Sequence, residues 1–389
     1  MLCEVNKFLL LRLVLVLGVM DTLSLLYVIL FYTLSVDIVF LVNYTFLGIL
    51  AVLAFGSLKS GIKVLYSNPY VLSIIFILIM SFVKILYSAL TFSELMNGYI
   101  TNYFYSLIMP LFCFLFVSRF KYDDYGQVII CFTNFARQYA YLAVFFLLVY
   151  SGLYFLGYID YFGLGSNLHY VVPFIMKSNT GFFLIFFVIV VSGKRAVLVT
   201  FFSQSIIYWA GSMSRGNKNG VLWLSLVVAI LAWLWTETDL FKRLEYLVLI
   251  DFDDQYSLMQ AFSGRFEEVL GITEFFKQNN YALLVGAAPG EFFMYSAETG
   301  NHFYNEPKNF SHVGPFSFAF RYGLIVSLFF YFWAFYCFIR YFDSSSPFYM
   351  AFVGVIISSF FGANLLVDPI AWLLVAFFLK FRKYSKLVI

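Results

Sequence analysis

Three short constellations in this sequence could carry chemistry. The first runs Gly211-Ser-Met-Ser214-Arg215-Gly-Asn217-Lys218-Asn-Gly220. Its Ser, Asn and Gly backbone amides would present free N–H groups at the start of a helix, where the dipole favours an anion. A guanidinium there adds bidentate recognition of phosphate oxygens. Lys218 could equally be a helix end reaching into lipid headgroups. The second constellation is Ser263-Gly-Arg265-Phe-Glu-Glu268, in a stretch with nine acids and three bases between Asp251 and Val313. Arg265 either pairs with Glu267 or Glu268, or grips a second phosphate beside Arg215. The third is Ser311-His312-Val-Gly-Pro315. A histidine titrates near neutral pH and can take or give a proton, although an interfacial His also serves as a plain polar anchor. His302 and His169 compete with it on chemistry alone. Arg321 follows nine residues later inside an apolar run, where a charge is a functional hypothesis by default. It could also pair with an acid such as Asp21; Lys84 and Lys177 pose the same question.

The elements that must position these residues follow from composition. The chain has 389 residues, 62% hydrophobic and 23% aromatic, with 12% charged and a net charge of +3. Its mean hydropathy is +0.88. Soluble domains carry about twice that share of charge. This excludes a soluble enzyme, a disordered chain and a nucleic-acid binder. At about 20 residues per span, the sequence predicts an all-α, polytopic transmembrane bundle. Cys3, Cys113, Cys131 and Cys337 form no CxxC pair, which argues against a disulfide framework or a zinc site. The N-terminal apolar run, from Leu13 to about Tyr32, is too long for a signal peptide core and reads as an uncleaved first span.

Apolar windows fall near 9–33, 38–57, 68–91, 101–118, 138–157, 172–193, 195–212, 220–237, 315–340, 347–364 and 366–381. Lys and Arg occupy every second gap through 194–195, so the N-terminus is expected in the cytoplasm. The basic C-terminal cluster then demands about twelve spans, the extra one short, near 240–256. A re-entrant eighth span is the alternative. Either version places 213–219 and 253–313 on the external side. The chain thus divides into helices over 1–250, a large external loop over 251–313, and helices over 314–389. Within the loop, 263–278 has a helical pattern, and Gly286-Ala-Ala-Pro-Gly290 marks a turn. No Walker loop, HExxH or GxSxG element occurs, nor do matched broken helices of the transporter kind.

Together these segments resemble the bacterial O-antigen polymerase and ligase superfamily of polytopic glycosyltransferases. The resemblance is carried by Ser214-Arg215-Gly216, by Ser263-Gly264-Arg265-Phe266, by Leu284-Val-Gly286-Ala-Ala-Pro-Gly290-Glu291-Phe292, and by His312 followed by Arg321-Tyr-Gly323-Leu-Ile325. It covers roughly 195–340. Three departures stand out: Ala288 replaces a common Gly, Arg321 stands where an acid is usual, and Val313 follows the histidine.

The resemblance implies a metal-independent glycosyltransferase without a cofactor, in the bacterial inner membrane, with both termini cytoplasmic and the active site periplasmic. Donor and acceptor would be glycans on undecaprenyl pyrophosphate, in a setting of membrane lipid. A chain-length regulator would be a further partner, and nucleic acid none. Repeat units would be polymerised into surface polysaccharide; the alternatives are a ligase acting on lipid A-core and a flippase of polyprenyl-linked sugars. Arg215, Arg265 and His312 would be catalytic. Ser214, Asn217, Lys218, Gly290, Glu291, Tyr304 and Arg321 would bind substrate, and Glu291 or Glu306 could replace His312 as base.

Overall fold

The computed structural model describes residues 7–16, 98–155, 170, 172–176, 179–192, 195–214, 265–288, 290–299, 302–308, 311–360 and 368–382, with isolated positions at 48–49, 52, 79 and 83. The described chain is mostly helical. In order, its helices are α1 (Gly98–Val117), α2 (Tyr125–Phe155), α3 (Asn179–Ser192), α4 (Arg195–Ser214), α5 (Arg265–Gln278), α6 (Ala282–Val285), α7 (Gly314–Tyr322), α8 (Leu324–Arg340), α9 (Pro347–Phe360) and α10 (Pro369–Phe381). One antiparallel hairpin, β1 (Phe293–Thr299) with β2 (His302–Lys308), interrupts them between α6 and α7. Among the described residues, one helix, over 122–145, is long and apolar enough to cross a membrane by length and composition. Shorter apolar helices accompany it, including Leu324–Arg340 and Pro347–Phe360.

Much of the aromatic excess forms the core between helices. Phe132 packs against Phe348 and Phe377 at 5.3 and 5.4 Å between ring centroids, and Phe120 reaches Phe377 at 5.2 Å. All four rings are buried. Edge-to-face pairs of this kind add about 0.5–1.5 kcal/mol each beyond their buried area. Small and polar residues set the close approaches. Gly354 of α9 lies against Thr200 and Gln204 of α4, and Gln204 Nε2 donates to the Met350 carbonyl at 3.0 Å.

Helix α9 defines two ends of the bundle. Phe348, near its start, meets Tyr125 and Phe381, and Gly211 of α4 abuts Ser344 just before it. Arg119, Lys121, Arg340 and Arg382 belong to the same end, as does Lys7, paired with Asp124. At the opposite end, Ser359 abuts Gly314, and its hydroxyl lies 3.1 Å from that of Tyr331. Fourteen residues at 1.5 Å each put the two ends about 20 Å apart.

This course departs from the expected one between α2 and α4. Helix α2 rises about 46 Å from Tyr125 at the basic end. Yet α3 starts beside Trp209, near the C-terminus of α4, and runs antiparallel to it, Phe182 meeting Trp209 and Phe186 meeting Phe201. Between Phe155 and Asn179 the described residues are 170 and 172–176. Tyr170 there is α-helical. The Tyr170 hydroxyl meets Ser358 at 3.3 Å, and a short turn over Val172–Phe174 then brings Phe174 onto Phe132 and Phe348. Tyr170, Val172, Phe174 and Ile175 are all buried. By its contacts with α9, α4 begins at the end that carries Gly314 and finishes, at Ser214, at the basic end. The segment after Ser214, expected on the same side as the large loop, lies outside the described residues.

Two further expectations are revised. The run 315–340 is two helices, broken at Gly323, whose φ of 92° only glycine adopts readily. The loop contains a hairpin as well as short helices. The predicted helix over 263–278 is found as α5, and the predicted turn has Gly286 and Gly290 at φ of 76° and 88°. The windows near 220–237 and 240–256 lie outside the described residues.

Candidate functional site

The site is built on a small separate core. Helix α5 turns Ile272 and Phe276 inward to Ala282, Ala287, Phe293, Ala319 and Phe320. Phe320 of α7 joins the loop to the bundle, touching Phe275 and Phe293 at 5.0 and 5.2 Å. Gly271 lets α5 approach β1 closely, since a Cβ there would sit 2.3 Å from the Met294 carbonyl oxygen. The turn after α6 is clamped in turn. The Ala287 N–H donates to the Phe320 carbonyl at 2.6 Å, and Gly286 and Gly323 press against the backbones of Arg321 and Leu284.

On this frame, one carboxylate gathers groups from three segments. Glu268 is 1% exposed. Its Oε1 lies 2.8 Å from His312 Nδ1, 3.3 Å from Lys308 Nζ and 3.5 Å from Arg265 Nη1. Its Oε2 accepts from the His312 backbone N–H at 2.8 Å and from Ser311 Oγ at 3.0 Å. Burial alone would push this carboxyl up, but the hydrogen bonds and charge of His312, with Arg265 behind them, hold it at about 2. It is therefore ionised at neutral pH. An ionised acceptor at Nδ1 keeps the proton of a neutral ring on that nitrogen and leaves the basic lone pair at Nε2. Lys308 also lies 3.5 Å over the Tyr295 ring, so the hairpin contributes both a cation and its aromatic support.

Glu267 is the neighbour with the opposite character. It is 3% exposed, and neither carboxylate oxygen has a hydrogen-bond partner among the described residues. Burial raises its pKa, its own backbone N–H opposes this, and the charge of Glu268 adds to it. Two adjacent carboxyls are thus pushed apart, a pattern found where acid and base roles are divided.

The other expected site residues fall elsewhere. Glu291 closes the turn, accepting from the Ala288 N–H and the Tyr281 hydroxyl, and Gly290 supplies its positive φ. Burial and the Glu291 charge push Tyr281 up to about 12. Tyr304 pairs with Ala297 in the hairpin. Arg321 is buried in the last turn of α7, where a cation complements the helix dipole, rather than deep within one long span. Ser214 is the last residue of α4, at the basic end; Arg215, Asn217 and Lys218 lie outside the described residues. The structure brings Arg265 and His312 together through Glu268.

Glu268 was visible in the sequence only as a pairing option for Arg265, three residues away. Glu267 was visible only as the other pairing option, and Lys308 gave no signal, because the burial that isolates the one and the hairpin that delivers the other are tertiary. Compared with known proteins, the chain matches no family model, no curated sequence and no solved structure.

Proposed function

We propose that the chain is a polytopic glycosyltransferase that polymerises polyprenyl-pyrophosphate-linked glycans at the outer face of a bacterial inner membrane. One observation carries this reading: Arg265, Lys308 and His312 gather on the ionised Glu268, at the end of the bundle opposite its basic end. The basic end is cytoplasmic by the loop-charge rule, which makes the cluster external.

The chemistry suits the groups. Transfer breaks the anomeric C–O bond of the donor, and the electron pair leaves with the pyrophosphate. Arg265 and Lys308 stabilise that growing charge; removal of one such donor typically costs about 10²–10³-fold in rate. The acceptor hydroxyl forms the new C–O bond and passes its proton to His312 Nε2, a step worth about 10²–10⁴-fold. Glu268 orients the ring and offsets the imidazolium charge that results. The cationic pair in this mechanism is Arg265 with Lys308, the two cations that meet Glu268.

The test is surface polysaccharide from cells carrying His312→Ala, with membrane levels of the protein measured in parallel. Single-repeat species with the ladder lost, at a normal protein level, is the expected result. A normal ladder refutes the assignment of His312, and loss of every glycan species points to ligation or flipping instead.

A further inference from the structure

At the basic end a cavity of about 440 Å³ opens between α2, α4 and the start of α9. Tyr125, Ile129, Thr133 and Arg137 line it from α2. Their four-residue spacing makes them one stripe of that helix. The irregular passage around Phe174 forms a second wall, and the Thr133 hydroxyl donates to the Phe174 carbonyl at 3.4 Å. Ser344 and Ser345 complete a hydroxyl-rich rim. Arg137 is exposed to this space and makes no ion pair among the described residues. Asp343, beside the rim, accepts at Oδ1 from the N–H and hydroxyl of Ser345.

A guanidinium three turns along an apolar helix, with no ion pair among the described residues, is costly in a membrane unless an anion meets it. Apolar walls around an exposed guanidinium suit an amphiphile whose headgroup carries that anion. Non-helical backbone beside such a cavity is also how membrane proteins expose carbonyls and amides to a ligand. We propose that this cavity binds a phosphate-bearing lipid, its headgroup paired with Arg137. The inference uses the membrane setting proposed above but none of the glycosyl-transfer chemistry, which lies at the other end of the bundle.

Thermal unfolding of the full-length protein in detergent tests it, with dioleoylphosphatidylglycerol, dioleoylphosphatidylcholine or inorganic phosphate titrated in. Phosphatidylglycerol should raise the Tm of the wild type saturably, and neither of the other two should. In Arg137→Gln the apparent affinity should fall about 10- to 100-fold, the loss of one charge-assisted contact. Lys121→Gln, an exposed cation at the same end, should keep the wild-type response. An equal shift in Arg137→Gln, no shift in the wild type, or the same shift with inorganic phosphate alone overturns the proposal. Glycan polymerisation is not read in this assay, so a failed glycosyltransferase assignment would leave its result standing.

Discussion

At Glu268, five contacts on a carboxylate 1% exposed outweigh the cost of burying it. Its folded pKa of about 2 lies below the ordinary 4.5, so its contribution to stability is complete above about pH 4.5 and is lost as the pH falls toward 2. The shift corresponds to roughly 3 kcal/mol. Glu267 works in the opposite direction. Its raised pKa favours the folded state only while it is protonated, and that contribution is lost as the pH rises through its folded value. Replacement by Gln should therefore have opposite signs at pH 7: Glu268→Gln destabilising by about 3 kcal/mol, Glu267→Gln neutral to stabilising. Denaturant unfolding of both variants checks this, and two changes of the same sign would refute the assigned environments. At this scale the sequence was partly legible. The spacing of Arg265 and Glu268 is local, and His312 stood out by its chemistry. Lys308 reaches Glu268 only through tertiary pairing, forty residues apart.

Among the elements, α5 and the turn at 286–290 could be read from periodicity and glycine spacing. The hairpin could not, because Phe293–Thr299 and His302–Lys308 mix charged, polar and proline residues. Only the docked structure shows Phe293 inward and Met294 outward. The break at Gly323 was hidden by an apolar run that continues across it. Gly286 is where these elements lock together. A methyl there meets the Arg321 carbonyl oxygen at 2.3 Å, and the φ of 76° disfavours any side chain. Gly286→Ala should cost roughly 2–4 kcal/mol and free the hairpin from α7. Faster proteolytic cleavage within 286–311 would register it; wild-type resistance would show that the turn is not the clamp.

Over the whole molecule, helix content followed from composition, while the course of the chain did not. Positive-residue counting sees the loops and not the packing that seats Phe182 of α3 beside Trp209 of α4. The two ends of the bundle are distinguishable by experiment. With native cysteines replaced, Gln278→Cys should react with an impermeant thiol reagent in intact spheroplasts, while Lys121→Cys and Ser214→Cys should be protected together. Labelling of Ser214→Cys alongside Gln278→Cys would restore a shared side for Arg215 and Arg265. The central claim, that the Glu268 cluster drives glycosyl transfer, meets its most direct test with purified protein and synthetic polyprenyl-pyrophosphate repeat units. The wild type should extend them, Arg265→Ala should do so about 10²–10³-fold more slowly, and the exposed Lys277→Ala should match the wild type. Extension by Arg265→Ala at the wild-type rate, or none by folded wild type, would contradict it.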